Sequence, residues 1–200
     1  MQYPSKLIES AVEAISKLPG IGKKTALRLA LHILKEDVTY AKGLSDAIIQ
    51  LREDIKYCQT CNSISDTDVC NICASLNRDQ SLICVVEDTN DILAIENTGQ
   101  YSGVYHVLGG VISPVDGVGP SDLNISSLIK RIETDNISEI ILALSPTMEG
   151  DTTAFYLSKK ITSFDIKIST IARGIPIGGE LEYADEVTLG RSIQTRITYK

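Results

Sequence analysis

The chain has 200 residues, 43% of them hydrophobic, with no Trp and only two Phe, so it can bury one ordinary core built from Ile, Leu and Val. No stretch approaches the ~18 apolar residues of a membrane span, and Met1-Gln2-Tyr3-Pro4 lacks a basic segment followed by an apolar run. The expectation is therefore a cytoplasmic protein with no signal peptide and no membrane partner. The net charge of −7 argues against a polyanion partner for the chain as a whole, but it is unevenly spread. Residues 1–57 carry nine Lys/Arg against seven Asp/Glu, residues 58–78 one against two, and residues 79–200 nine against seventeen. Any nucleic acid should meet the first of these segments, because phosphate affinity follows local cation density.

Residues 4–17 read as a helix, with Leu7, Ala11 and Ile15 at four-residue spacing, Ile8 and Val12 beside them, and Pro4 in the first turn. Leu18-Pro19-Gly20-Ile21-Gly22 breaks the pattern, and a second helix follows over about 23–35 on Ala26, Leu27, Ala30, Ile33 and Leu34. A third is expected over about 44–56 on Leu44, Ile48, Leu51 and Ile55. Residues 58–73 hold four cysteines and little apolar bulk. Beyond residue 80, apolar runs at 82–86, 104–108, 139–144 and 166–171 alternate with helical patterns at 91–96, 123–134 and 152–161. That alternation predicts a mostly parallel sheet with helices covering its faces. Gly109 to Asp122, rich in Gly and Pro, reads as a long ordered loop or lid, and the pattern beyond Ile175 yields no clear element.

Leu18-Pro19-Gly20-Ile21-Gly22-Lys23-Lys24 joins two amphipathic helices. Gly20 and Gly22 allow close approach of backbone amides to a phosphate, and the next helix presents free N–H groups and its positive dipole end to the same oxygen. Lys23 and Lys24 add charge there, and Arg28 lies roughly one turn further along. Such a grip positions a duplex or single strand without reading its bases. The alternative is an ordinary helical hairpin that needs glycines to turn; the Pro-Gly-Ile-Gly-Lys-Lys context favours DNA. His32, among apolar neighbours without partner spacing, is read as structural.

Cys58-x2-Cys61 and Cys70-x2-Cys73 are separated by eight residues. Each pair can place two thiolates on one ion from a tight turn, and four thiolates close a tetrahedral Zn²⁺ shell with no position for water, so the zinc is structural. The segment is too poor in apolar residues to fold alone, and metal binding must supply its folding free energy. Two disulfides or an iron–sulfur cluster are the alternatives. Cys84 stands apart in an apolar strand and reads as a buried small hydrophobe.

Val85-Val86-Glu87-Asp88 closes one strand, and Glu149-Gly150-Asp151 follows another after Ser145-Pro146-Thr147-Met148. In a parallel sheet both sit at carboxyl ends of strands, where such folds bind ligands. Glu87, Glu149 and Asp151 could there hold Mg²⁺, or be solvated loop acids. Tyr105 and Tyr156 carry no mark of an activated nucleophile.

Helical hairpin, four cysteines, then an α/β domain with Glu followed by Glu-x-Asp form an informative order. The α/β part resembles a Toprim domain, and the whole chain resembles the RecR family of bacterial recombination mediators. The resemblance rests on Leu18–Ala26, the four cysteines, Val86-Glu87, and Tyr105–Gly110 with Ser113-Pro114 and Asp116–Pro120. It continues through Pro146–Asp151, Ala172–Pro176, Gly178–Asp185 and Thr188-Leu189. It implies four segments: a helix–hairpin–helix DNA-binding region at 1–57, a zinc finger at 58–78, a Toprim domain at 79–175 and a C-terminal assembly segment at 176–200. It further implies a homo-oligomer, a tetrameric ring around DNA, that acts with RecO, and in another route RecF, to load RecA onto single strands at the nucleoid. Catalytic Toprim domains carry Asp-x-Asp where this chain has Glu149-Gly150-Asp151. That departure and the absence of an evident nucleophile favour a non-catalytic clamp with partner docking at the acidic edge over a Mg²⁺-dependent nuclease-like enzyme. Gly190-Arg191-Ser192 onward follows the family pattern loosely and is assigned no site.

Overall fold

The computed structural model describes residues 3–175 and 177–198; Pro176, one of the residues of the expected C-terminal pattern, lies outside them, as do Tyr199 and Lys200. The chain divides into two compact units, Met1–Ile55 and Lys56–Lys200.

The first unit is helical: α1 (Lys6–Ile15), α2 (Lys23–Lys35) and α3 (Val38–Asp54). Ser5 caps α1, its hydroxyl accepting the Leu7 N–H, so Pro4 lies just ahead of the helix. The packed face of α1 is Ile8, Ala11, Val12 and Ile15 against Ala26, Leu27 and Ala30 of α2, while Leu7 faces outward. The helix α3 begins six residues before the expected Leu44, because the Asp37 carboxylate caps it by accepting the Tyr40 N–H at 2.8 Å. Its apolar stripe of Leu44, Ile48 and Leu51 is exposed.

In the second unit, β1 (Lys56–Tyr57) pairs antiparallel with β2 (Ile64–Ser65) beside the cysteine turns, and the short helix α4 (Asn71–Ala74) follows. Then come β3 (Asp79–Val86), α5 (Thr89–Glu96), β4 (Gly103–Val107), α6 (Ile125–Thr134), β5 (Glu139–Leu142), α7 (Met148–Ile161), β6 (Lys167–Thr170) and α8 (Glu186–Gln194). The four longer strands form one parallel sheet in the order β4-β3-β5-β6, as the alternation predicts. Successive residues of β3 face opposite ways. Ile83 and Val85 join Val104, Ile140, Leu128, Leu157 and Ile161 in the core under α6 and α7. Cys84 and Val86 join Tyr105, Val107 and Ile92 in the core under α5. Burial on both faces is why β3 reads as a continuous apolar run rather than an alternating one. The residue 109–124 loop is ordered: Ser113 and Val118 form a bridge, and the Ile112 N–H donates to the Thr153 hydroxyl at 2.8 Å.

Two polar anchors lie inside this unit. Arg78 pairs bidentately with Glu96 and donates to the Tyr101 and Gly103 carbonyls, joining the chain after the cysteines to α5 and β4. His106, buried in β4, donates from Nε2 to the Asn124 carbonyl at 2.9 Å, and burial pushes its pKa down to about 4. An imidazole that stays neutral in the fold but titrates near 6.5 when unfolded lets the unfolded chain bind the extra proton first. Stability from this group is intact above pH ~6.5 and is withdrawn as pH falls toward the folded value, by at most about 1.4 kcal/mol per pH unit. Urea unfolding measured across that window should show a slope that His106→Gln flattens; an identical slope in the variant would remove His106 from the pH dependence.

Candidate metal centre and nucleic-acid interface

The cysteine module is built from two dissimilar turns. In the first, Asn62 takes a left-handed φ of 60°, which Asn tolerates better than most residues. That geometry lets the Asn62 N–H return to the Cys58 carbonyl and the Cys58 N–H reach the Ser63 carbonyl, each at 2.8 Å. In the second, Cys70 caps α4 through its own sulfur, which accepts the Cys73 N–H at 3.4 Å. The Cys70 N–H points to Cys58 Sγ at 3.3 Å, tying the turns together. The four Sγ atoms lie within 4.8 Å of one another, with Cys61 and Cys70 3.6 Å apart. A tetrahedron with Zn–S bonds of ~2.3 Å has S···S edges of about 3.8 Å, so this spacing suits one Zn²⁺. In each other's company the thiols resist shared ionisation: the hydrogen bond to Cys70 pushes Cys61 up to about 12. A divalent cation at their centre reverses that balance. Cys84, buried in β3 outside the cluster, has its thiol pushed up to about 12 by desolvation, in keeping with a small hydrophobe.

The module is fastened to the sheet. The Val107 N–H at the end of β4 donates to the Cys61 carbonyl at 2.8 Å, Asn62 donates to the Ser127 hydroxyl at 3.1 Å, and Ile72 packs against both sheet cores. Folding free energy that a bound metal would supply to the module would therefore also brace the α/β layer.

In the helical unit, Gly20 turns the chain with φ +77°, a conformation open to glycine at little cost. Gly22 occupies the N-cap of α2 with extended backbone and offers no side-chain cap. The first-turn N–H groups of α2 are therefore available at the surface. Lys23, Lys24 and Arg28 are all exposed around that end. The structure thus gathers all five expected DNA-binding residues on one turn and the helix it starts. His32, also exposed, sits 3.8 Å from Glu36 one turn on.

The acidic residues Glu87, Glu149 and Asp151 do fall at the carboxyl ends of β3 and β5, but each is differently engaged. Glu87 accepts the Ser145 N–H at 2.6 Å. Glu149 lies half-buried in the first turn of α7. Asp151 meets Arg173 at 2.5 Å and Arg191 at 3.5 Å, and the hydrogen bond from Arg173 holds its carboxyl below the usual carboxylate range. Among the described residues the four cysteines alone group as a metal-ligand set, so the three carboxylates expected to share Mg²⁺ do not come together as one. Sequence reasoning assigns no role to Arg191; only the fold reveals it, since α8 brings it back from a distance in sequence that no spacing rule encodes. Tyr105 is buried and gives its hydroxyl proton to Glu96 at 2.6 Å, and burial, then that bond, raises its pKa. Tyr156 packs half-buried against the sheet core under α6 and α7.

Family models cover most of the chain: the RecR helix-hairpin-helix over residues 8–52, the RecR four-cysteine zinc finger domain over 55–75, the Toprim domain over 81–172 and the RecR C-terminal region over 174–197. Among curated proteins the chain is 63% identical over 201 residues to Recombination protein RecR of Cytophaga hutchinsonii, covering 100% of this chain and 98% of the relative. It is 60% identical over 200 residues to the protein of that name from Flavobacterium johnsoniae, covering 100% and 97%. To that from Parabacteroides distasonis it is 57% identical over 198 residues, covering 99% and 95%. No helix among the described residues is long and apolar enough to cross a membrane.

Metal analysis of the purified chain should return about one zinc per chain, in line with a closed four-thiolate shell. Serine at any of Cys58, Cys61, Cys70 or Cys73 should release it, while Cys84→Ala should keep it. Iron in place of zinc, or four oxidised thiols in fresh protein, would overturn the assignment.

Proposed function

The chain belongs to the RecR family of recombination proteins, and from that premise we propose that it is a non-catalytic, sequence-independent DNA-binding mediator of recombination and repair. The observation that carries this reading is the start of α2: an uncapped helix N-terminus, glycine at the cap, and Lys23, Lys24 and Arg28 exposed around it. Phosphate oxygens of single-stranded or duplex DNA are received there by backbone N–H groups, and the cations release condensed counterions on binding. The division of labour follows the four segments: residues 1–57 bind DNA, 58–78 carry the zinc, 79–175 form the Toprim layer and 176–200 serve assembly.

Assembly as a homo-oligomer, in the family's manner a tetrameric ring, is supported by apolar side chains that a single copy leaves in water. Leu7, Ile48 and Leu51 of the helical unit are 82%, 60% and 65% exposed, and Val187, Ile193 and Ile197 of the C-terminal segment are likewise uncovered. Patches of this kind mark interfaces. In this reading the ring works in the cytoplasm on the nucleoid, with RecO, and in another route RecF, to help load RecA on single strands. The acidic face of residues 79–200 repels DNA and suits a basic partner surface, whose encounter it would speed and orient. Glu149 is the carboxylate best placed for that docking, since Glu87 and Asp151 already have partners within the chain. A Mg²⁺-dependent nuclease needs a positioned nucleophile or activated water; the engaged Tyr105 hydroxyl and the dispersed carboxylates speak against one.

Removing a single cation–phosphate pairing should flatten the slope of log K against log salt by roughly 0.7–0.9 of a unit. Lys23→Ala with Lys24→Ala should therefore weaken binding uniformly across sequences; unchanged affinity at low salt would reduce the hairpin to a structural turn. Gly22→Ala offers a second test. An added Cβ meets nothing within 4 Å and the backbone is extended, so the variant should fold normally yet bind DNA less well. Wild-type protein with Mg²⁺ should leave DNA uncut, and cleavage abolished by Glu149→Ala would favour the enzyme.

A further inference from the structure

The second acidic motif is held in a way that neither DNA binding nor partner docking requires. Ser145 is the pivot. Its N–H donates to Glu87, and its carbonyl lies so close to Gly150 that any added Cβ would collide with it. The start of α7 is thus pressed against the loop after β5, and the glycine between Glu149 and Asp151 is demanded by packing. Asp151 is thereby fixed at the sheet edge with both carboxylate oxygens turned to cations of its own chain. Oδ1 meets Arg173, three residues after β6, and Oδ2 meets Arg191 on α8. We propose that these two guanidiniums stand where three edge carboxylates would otherwise attract a divalent ion, so that Asp151 fastens the C-terminal segment instead of a metal.

The chemistry favours this exchange. Mg²⁺ is small, keeps its waters, and needs carboxylates that converge on it. Two positive groups already at Asp151 repel it, and Glu87 is turned to a backbone N–H. A planar guanidinium gives up hydration more readily than an ammonium, and its fork can address a carboxylate oxygen while its stem packs. Half-exposed ion pairs are individually weak. The gain here is positional: one carboxylate joins the start of α7, the chain after β6, and α8, which is itself outside the sheet. The segment expected to serve assembly is therefore anchored on a carboxylate that would otherwise be free to draw a divalent ion. This inference goes beyond the proposed function, because it concerns what Asp151 binds within one chain: it can fail while DNA binding at α2 stands, and a Mg²⁺-dependent enzyme at this edge would need that carboxylate free.

The test uses the full-length, zinc-loaded protein with Mn²⁺ as the probe ion, followed by its electron paramagnetic resonance, and hydrogen exchange of residues 186–194. Wild-type protein should show no more Mn²⁺ binding than Asp151→Asn. The double change Arg173→Gln, Arg191→Gln should create a millimolar Mn²⁺ site that disappears when Asp151→Asn is added. Asp151→Asn alone should speed exchange in α8 several-fold, and raised salt should do the same to wild type by screening the pairs. Should the double glutamine variant fail to fold, Arg173→Lys with Arg191→Lys keeps the charge but loses the fork and should loosen α8 without admitting Mn²⁺. An Asp151-dependent Mn²⁺ site in wild type, no new site in the glutamine variant, or α8 protection indifferent to Asp151→Asn would each overturn the proposal.

Discussion

Backbone pairing of β3 on both sides, with β4 and with β5, determines where every polar element of the larger unit can go. Because all three run parallel, their carboxyl ends open on one edge, and the chain leaves each strand there. Leaving β3, it delivers Glu87; leaving β5, Ser145 and then the acidic start of α7; leaving β6, Arg173. The end of β4 supplies the Val107 N–H that holds Cys61. The zinc module, the acidic motifs and the C-terminal anchor are thus neighbours in cause: each hangs from a strand end of one sheet, placed by β3 directly or, for β6, through β5. A polar substitution at Ile83 or Val85, wholly buried beneath α6 and α7, would disturb all of them without touching any.

The two clusters of potential metal ligands in this unit are resolved in opposite ways. The thiols converge on one another and have little else to bind: a few backbone N–H groups reach sulfur, and the hydrogen bond to Cys70 pushes the Cys61 thiol up. Only a cation settles four of them together, so the site depends on one. The carboxylates have found donors inside the chain, a backbone N–H for Glu87 and two guanidiniums for Asp151. Each is satisfied separately and convergence is lost. Local chemistry, rather than the number of acidic residues, decides which cluster is a metal centre.

Much of the architecture is legible because periodicity and spacing are local. The α2 bounds, the four strands and the thiol spacing all follow from residues a few places apart. What the sequence conceals falls into two kinds. Element starts depend on single capping contacts: Asp37 begins α3 well before its apolar stripe does, and Ser5 rather than Pro4 begins α1. Both caps are plain residues of the right type, but a hydrophobic pattern carries no trace of them. The second kind is tertiary. Arg191 sits in a stretch without usable periodicity, and nothing near it in sequence announces Asp151, forty residues earlier by chain and 3.5 Å away in space. Likewise, the outward turn of Leu7 cannot be read from a helix whose apolar residues span more than one face.

The glycines of the two diagnostic motifs carry this distinction furthest. Gly150 has a reason inside the fold, since any side chain there would collide with the Ser145 carbonyl; its presence says how α7 is packed and little about what the protein binds. Gly20 has a partial reason in its positive φ. Gly22 has none: its backbone suits any residue, the space beside it is open, and at an N-cap a Ser, Thr or Asp would stabilise the helix better than glycine does. With Lys23, Lys24 and Arg28 exposed around it, a bare cap leaves the first N–H groups of α2 open to an anionic oxygen, which is the arrangement that the proposed DNA binding would use. Gly150 is thus explained within the fold and Gly22 is not, which is why the proposed DNA contact is sought at the start of α2.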